Sequence, residues 1–337
     1  MSAAPILEVR DLRVEIPLSR GTVHAVDGVS FDVAAGEALG LVGESGCGKS
    51  MTLRAILGLL PQPGRIVGGE VRFEGENLAE ASRSRLRDVR GARIGIIFQE
   101  PMTALNPVMR VGDQIAEGPL VHLGHSRSKA RARALDLMRR VGIPDPARRV
   151  RAYPHELSGG MRQRVMIAIA LSCEPQLILC DEPTTALDVT IQDQILKLLA
   201  AMRNDFGVSV VFVTHDLAVV AETCNRIAVM YAGQVVETGT VDQVFHEPHH
   251  PYTLGLLRSV PRFDLVRQQL SSIPGQPPDL VVPPSGCRFH PRCPFTRDDC
   301  VQGDFPLRPL GVARATACIH DDVCAKDARQ NPVIVDA

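Results

Sequence analysis

Gly43-Glu44-Ser45-Gly46-Cys47-Gly48-Lys49-Ser50 fits the pattern G-x-x-x-x-G-K-[ST], and its flanks restrict what the chain can fold into. The apolar run Ala38-Leu39-Gly40-Leu41-Val42 before it reads as a buried strand, and Met51 to Leu60 after it reads as a helix. A strand that passes into a helix through a glycine-rich loop aims backbone N–H groups and the positive end of the helix at one point, which suits an anion. There Lys49 can reach the β- and γ-phosphates of a nucleotide and Ser50 can ligate Mg²⁺. A chance glycine turn would match the spacing without needing both flanks.

With 337 residues, 45% of them hydrophobic, the chain can bury a large core, and one large domain plus a smaller one is expected. The formal net charge is −1. The arginine clusters at 83–93, 127–140 and 148–151 fall within helical patterns and read as solvated faces, so nucleic acid is not an expected partner. Met1 to Asp11 has no basic segment leading into an apolar core, so no secretory signal is expected. No 18 apolar residues run uninterrupted; even Val165 to Cys180 is broken by Glu174-Pro175, which leaves any membrane role to partners. Nine cysteines, an odd count, argue against a full disulfide framework and leave metal ligation or free thiols open.

Along the chain, short strand-like runs (Leu7 to Val9, Val14 to Ile16, Val29 to Val33) predict an antiparallel β layer before the phosphate loop. From Arg83 to Gly160 the periodicity turns helical, with Ile115, Leu120 and Leu123, then Ala134, Leu135 and Met138, read as apolar faces of a helical subdomain at about 100–160. The almost wholly apolar runs Gln176 to Cys180 and Val208 to Val213 are of the kind buried on both faces of a parallel sheet. The fold class is therefore α/β, with a mixed sheet core. Ten of the 25 prolines fall between Pro261 and Pro309, which predicts a loop-rich C-terminal extension beyond a boundary near residue 255.

Four further features narrow the class. Leu177 to Cys180 ends in Asp181-Glu182, paired carboxylates that suit Mg²⁺ and the γ-phosphate of a nucleotide. Leu157-Ser158-Gly159-Gly160-Met161-Arg162-Gln163 opens a helix with a serine and two glycines, exposing unsatisfied N–H groups to an anion; a simple serine cap would not require both glycines. Gln99 follows the strand Ile94 to Phe98, and His215 follows Val208 to Val213. In open α/β sheets ligands gather at these carboxyl ends.

In this order and spacing, residues 6–255 resemble the ATP-binding cassette of ABC transporters, a P-loop ATPase fold. The resemblance assigns Walker A to Gly43–Ser50, the Q-loop glutamine to Gln99, the signature to Leu157–Gln163, Walker B to Leu177–Asp181 and the D-loop to Thr185–Asp188. It implies that Glu182, His215, Gln99 and Lys49 are catalytic, with Glu182 as general base or water-orienting group. ATP would be held by Gly43 to Thr52, Met51 included, together with Ser158, Gly159, Gly160 and Asp188; Mg²⁺ would be held by Ser50, Gln99 and Asp181. Two cassettes would sandwich two ATPs head to tail. One departure stands out: Met1 to Ser30 contains no aromatic residue to stack adenine, and Val23 or His24 falls nearest that position.

Residues 249–320 resemble the extension of the oligopeptide, dipeptide and nickel importer ATPases, through His250-Pro251-Tyr252-Thr253, Ile273 to Pro278, Gly286 to Phe289 and Arg292-Cys293. That resemblance implies an ATPase energising peptide import, or import of nickel, glutathione or another small solute, at the cytoplasmic face of a membrane. It also implies a second, related ATPase, two permease subunits and an extracytoplasmic substrate-binding protein. A soluble ABC ATPase acting on nucleic acid or ribosomes is the alternative; those with a long coiled-coil insertion or two cassettes differ from this chain. Cys287, Cys293, Cys300 and Cys318 form a C-x5-C-x6-C-x17-C array able to hold a [4Fe–4S] cluster or Zn²⁺, or to remain four free thiols. Cys173, Cys180 and Cys224 are expected to be buried small hydrophobes, and Cys324 to sit in a frayed terminus.

Overall fold

Alternating burial along the strand Leu7–Leu18 changes phase midway. Leu7 and Val9 are buried, then Leu12 and Val14. The switch from odd to even positions coincides with a register shift against Arg65–Phe73 between Arg10 and Arg13, where Asp11 takes a φ of 44°. One extra residue in a strand moves every later side chain to the opposite face, so the bulge keeps a single apolar face on the core. The strands Gly21–Val33, Leu7–Leu18, Arg65–Phe73 and Glu76–Asn77 follow one another in this sheet, the antiparallel layer that the sequence predicts.

The computed structural model describes residues 4–185, 187–260 and 272–331; Ala186 of the expected D-loop lies outside them, as do 261–271 and 332–337 of the extension. The chain divides into two units that interleave in sequence. One comprises the chain up to Ile6, Val33–Ala38 and Glu80–Val213; the other comprises Leu7–Asp32, Leu39–Ala79 and everything from Thr214 onward.

In the first unit, Ile94–Ile97, Leu177–Asp181 and the strand beginning at Ser209 pair in parallel, Ile94 opposite Leu177 and Leu177 opposite Ser209. All five residues of Leu177–Asp181 are buried, as expected for a strand covered on both faces. The helices Val111–His122, Arg127–Arg140 and Gly159–Ala170 supply the helical character. Ile115, Ala134 and Met138 are buried as the periodicity predicts, but Leu120 and Leu123 are 37% and 43% exposed. A step of five residues turns an α-helix by about 140°, so Leu120 cannot share a face with Ile115; Ala116 and Pro119 fill that face instead.

In the second unit, Ala38–Val42 runs parallel to Arg226–Tyr231 from Leu39 onward, and Gln234–Thr240 folds back antiparallel on the latter. The described part of the proline-rich stretch, 272–307, holds only two single-turn helices, His290–Arg292 and Asp298–Cys300, and regular elements return after it. Arg314–Thr316 pairs with Gln234–Thr240, and Arg308–Gly311 pairs with Arg314–Thr316 in turn. Tyr231, Tyr252 and Phe289 interlock at centroid distances of 4.5–5.4 Å in the core of this unit. Cys324 corrects an expectation: it is fully buried in the helix Asp321–Gln330, packed with Leu254 and Ala328, because this short amphipathic helix has its own apolar patch to cover. Among the described residues, no helix is long and apolar enough to cross a membrane.

Candidate functional site

The phosphate loop lies wholly in the second unit. It leaves the buried strand Ala38–Val42 and enters the helix Lys49–Ile56, a register that matches the sequence expectation at the loop and shortens the expected helix at its far end. Gly43 and Gly48 have φ values of 157° and 109°. A Cβ on Gly43 would come within 2.1 Å of the Met230 carbonyl oxygen, and one on Gly48 within 2.3 Å of the Ala25 oxygen. Glycine is therefore required at both ends by contact, and at Gly48 also by backbone conformation. Gly46 (φ 82°) and Ser45 face open space at the loop's tip, where a ligand can approach.

Lys49 is 4% exposed and turns back on the loop, donating to the carbonyls of Gly43 (2.7 Å) and Glu44 (3.0 Å). Thr52 is buried, with its hydroxyl on the Gly48 carbonyl at 3.1 Å. Cys47 is buried, and burial pushes its thiol pKa up, partly offset by the Lys49 charge. Ser50 and Met51, half-buried, begin the helix. His215 also belongs to this unit; it follows Thr214, whose hydroxyl accepts the Asp216 N–H at 3.0 Å, and it is exposed. His24, which the resemblance places nearest the expected adenine, is half-exposed and lies 3.6 Å from Glu15.

The first unit brings together a second group. Glu182 follows the buried Asp181 at the carboxyl end of its strand and adopts a φ of 46°. Left-handed backbone at a non-glycine residue costs about 1–3 kcal/mol and persists only where its surroundings hold it. Here the Glu182 N–H donates to Val213 (2.9 Å). Its Oε2 accepts from Gln99 Nε2 (3.1 Å) and Thr185 Oγ1 (2.9 Å). Thr185, an ordinary turn residue by type, lies in the stretch that the resemblance assigns to the D-loop. The buried Gln163 side chain of the signature helix donates to the Pro183 carbonyl (2.6 Å), tying that helix to the turn that carries Glu182.

Ser158 caps the helix Gly159–Ala170, accepting the Met161 N–H at 3.3 Å. A Cβ on Gly159 would meet nothing within 4 Å, whereas one on Gly160 would meet Ile191 at 3.0 Å. Gly160 thus has a packing reason, and Gly159 leaves the exposed first turn clear. Asp188 caps the helix Val189–Phe206 through the Ile191 N–H (2.9 Å).

In the C-terminal segment, Cys287, Cys293, Cys300 and Cys318 all line one small cavity of about 20 Å³, with Phe289, Phe295 and Phe305 among its walls. Burial raises the thiol pKa of Cys293 to about 11 and that of Cys318 to about 12. Among the described residues, the ligand-type atoms gathered within 4.8 Å of one another are those of Asp299, Cys300 and His320, and the four sulfurs are not so gathered. His320 instead pairs with Asp299 at 2.8 Å.

A strand–glycine loop–helix for phosphate in one unit, with strand-end carboxylates and a capped Ser-Gly-Gly helix in the other, define an ATP-binding cassette. The family described as ABC transporter matches residues 26–185, and the oligopeptide/dipeptide transporter C-terminal region matches residues 236–300. The chain belongs to the ATP-binding proteins of ABC transporters, in the branch that carries this C-terminal region. It is 52% identical to the dipeptide transport ATP-binding protein DppD of Bacillus subtilis over 86% of this chain and 87% of that protein. To DppD of Escherichia coli it is 48% identical over 93% of this chain and 96% of that one. Its fold matches a dimeric ATP-binding cassette in a post-hydrolysis state bound to ADP and Pi, with a TM-score of 0.63 and 28% identity, over 70% of this chain and 98% of that chain. Membership makes it an ATPase that works with ATP and Mg²⁺.

Proposed function

We propose that this protein hydrolyses ATP to energise import of dipeptides or oligopeptides through a membrane permease. The observation that carries this reading is the C-terminal match at 236–300 together with near-full-length relatives named as dipeptide transport ATP-binding proteins. Residues 1–255 form the cassette in this reading and 256–337 the extension. The chain sits at the cytoplasmic face of the membrane against two permease subunits, paired with a second, related ATPase and supplied by an extracytoplasmic substrate-binding protein. The absence of a membrane-crossing helix among the described residues is consistent with such a peripheral place.

Lys49 and the N–H groups of residues 43–52 bind the ATP phosphates, and Glu182 orients the attacking water and draws its proton. Gln99, bonded to Glu182, positions that carboxylate; His215 holds the γ-phosphate. Ser158, Gly159 and Gly160, with Asp188, act on the nucleotide of the partner cassette. Ser50, Asp181 and Gln99 offer only oxygen to a metal, a donor set that suits Mg²⁺, whose charge offsets that of the phosphates. Uptake of labelled di- and oligopeptides, with nickel in parallel, tests the reading in cells lacking the protein and complemented with wild type or Glu182→Gln. Wild type alone should restore peptide uptake. Restored nickel uptake, or none, would overturn the peptide assignment.

The four cysteines around one cavity support a metal centre as well, a [4Fe–4S] cluster or Zn²⁺. Four thiolates would supply either the Cys₄ ligand set of a cluster or the four bonds of a tetrahedral zinc site. Protein purified anaerobically should be brown and contain iron and sulfide, and Cys293→Ser should lose both. Stoichiometric zinc in a colourless protein would decide for Zn²⁺, and metal-free protein would leave four thiols.

A further inference from the structure

Arg292 of the C-terminal segment holds the phosphate loop directly at Glu44, and Arg288 of the same stretch holds the Ala232 carbonyl, next to the Gly233 N–H that bonds the loop at Cys47. At Glu44 the carboxylate receives a forked pair of hydrogen bonds from Arg292, Nη1 to Oε2 at 2.6 Å and Nη2 to Oε1 at 3.0 Å. The Glu44 N–H donates to the hydroxyl of the buried Tyr252 at 2.8 Å. At Cys47 the carbonyl accepts the Gly233 N–H at 2.9 Å. The adjoining Ala232 carbonyl accepts from Arg288, whose other terminal nitrogen pairs with Asp27. Arg288 and Arg292 leave the same short stretch, each next to a cysteine of the lined cavity, Cys287 and Cys293.

The Arg292 pair differs from an ordinary surface ion pair. Its side chain is 5% exposed, and the guanidinium is fixed on every side: Nε to Pro274 O (2.9 Å), Nη1 also to Tyr231 Oη (3.3 Å), Nη2 also to Ile273 O (3.3 Å). The five N–H groups of an arginine are thus all directed to acceptors. The pair also has an electrostatic task. Glu44 puts a negative charge inside a loop built to receive phosphates, and that charge opposes the ligand unless a cation neutralises it. Breaking a buried pair from one side leaves the other charge uncompensated.

We propose that Arg292 is a positioning residue for nucleotide binding, which fixes and neutralises Glu44 so that the ATP affinity of the phosphate loop is set from the C-terminal segment. This rests on the reading of residues 43–50 as the nucleotide-phosphate loop. Nothing in the spacing of the loop motif requires such a support, and the segment that provides it is the one that distinguishes this branch of cassettes.

The test is equilibrium binding of Mg²⁺-ATP to the full-length protein, with nucleotide-free thermal unfolding as the check on folding. Arg292→Met should weaken ATP binding about tenfold or more. Glu44→Gln, which keeps the loop's N–H groups and removes only the carboxylate charge, should weaken binding by less than Arg292→Met does. The double variant Glu44→Gln/Arg292→Met should bind ATP several-fold more tightly than Arg292→Met alone, because the unneutralised carboxylate is gone; a merely structural arginine would show no such relief. Where Arg292→Met does not fold, Arg292→Gln, which removes the charge and keeps a polar side chain, takes its place, with a loss of about tenfold that Glu44→Gln again relieves. Affinity within twofold of wild type in the arginine variant, or no relief in the double, overturns the proposal. Lys49→Ala is measured alongside: if it too leaves affinity unchanged, the reading of the loop has failed rather than the role of Arg292.

Discussion

Replacing Glu182 by Gln should lower the ATP turnover number by at least about 100-fold while leaving ATP affinity within about twofold. General acid–base groups contribute roughly 10²–10⁴-fold to rate, and an amide cannot accept the proton of an attacking water. The structure explains why the fold should survive the change. The Glu182 backbone sits at a φ of 46°, held by the Val213 carbonyl, and its side-chain oxygen accepts from Gln99 and Thr185. Gln keeps the length, the backbone contacts and one carbonyl oxygen able to accept from the same two donors. Steady-state phosphate release and equilibrium nucleotide binding on one preparation check the two halves of the expectation. Multiple turnovers at near wild-type rate would remove Glu182 from its catalytic role. A parallel loss of affinity would show that the carboxylate contributes to binding as well as turnover.

The parts legible in the sequence were those whose information is local. The phosphate loop announces itself because strand, glycines and helix N-terminus must be contiguous, and the structure places its start at the predicted strand. Glu182 was legible from the end of an apolar strand. Its partners split along the same line: Gln99 follows a strand of its own, whereas Thr185 is an ordinary turn residue until the bond to Glu182 is seen. Arg292 lies 248 positions from Glu44, and no periodicity or spacing links the two. The text around Arg292 marks the branch, but its physical reason needs three dimensions. Leu120 departs from the expected apolar face because five residues turn a helix by about 140° from Ile115, and Leu123 because the helix ends there. Nearness to the end of the chain suggests fraying at Cys324, but the Asp321–Gln330 helix buries it against Leu254.

Removing the Lys49 side chain should have two separable effects, and the structure predicts the second where the motif predicts the first. In the motif reading the ammonium meets the β- and γ-phosphates, so Lys49→Ala should weaken ATP binding by at least about tenfold for one lost charge-assisted hydrogen bond and by more than about 100-fold for two, at about 1.5–3 kcal/mol each. The same nitrogen also staples the loop to itself through Gly43 and Glu44 at 2.7 and 3.0 Å, and the side chain is almost wholly buried. Truncation therefore takes the lysine donor from the Gly43 carbonyl, leaves the Glu44 carbonyl only the Cys47 N–H at 3.3 Å, and opens a small void, which should cost the nucleotide-free protein about 1–3 kcal/mol of stability. Lys49→Met fills the void but supplies no donor: it should recover part of the stability and none of the affinity. Binding isotherms and denaturant unfolding of the three proteins distinguish these terms. If Lys49→Ala bound ATP as wild type does but unfolded more easily, the lysine would be a structural staple, and the phosphates would have to be held by the loop's backbone N–H groups alone. If it lost affinity with stability intact, the resting contacts to Gly43 and Glu44 would be worth little, and the lysine would act only on the ligand.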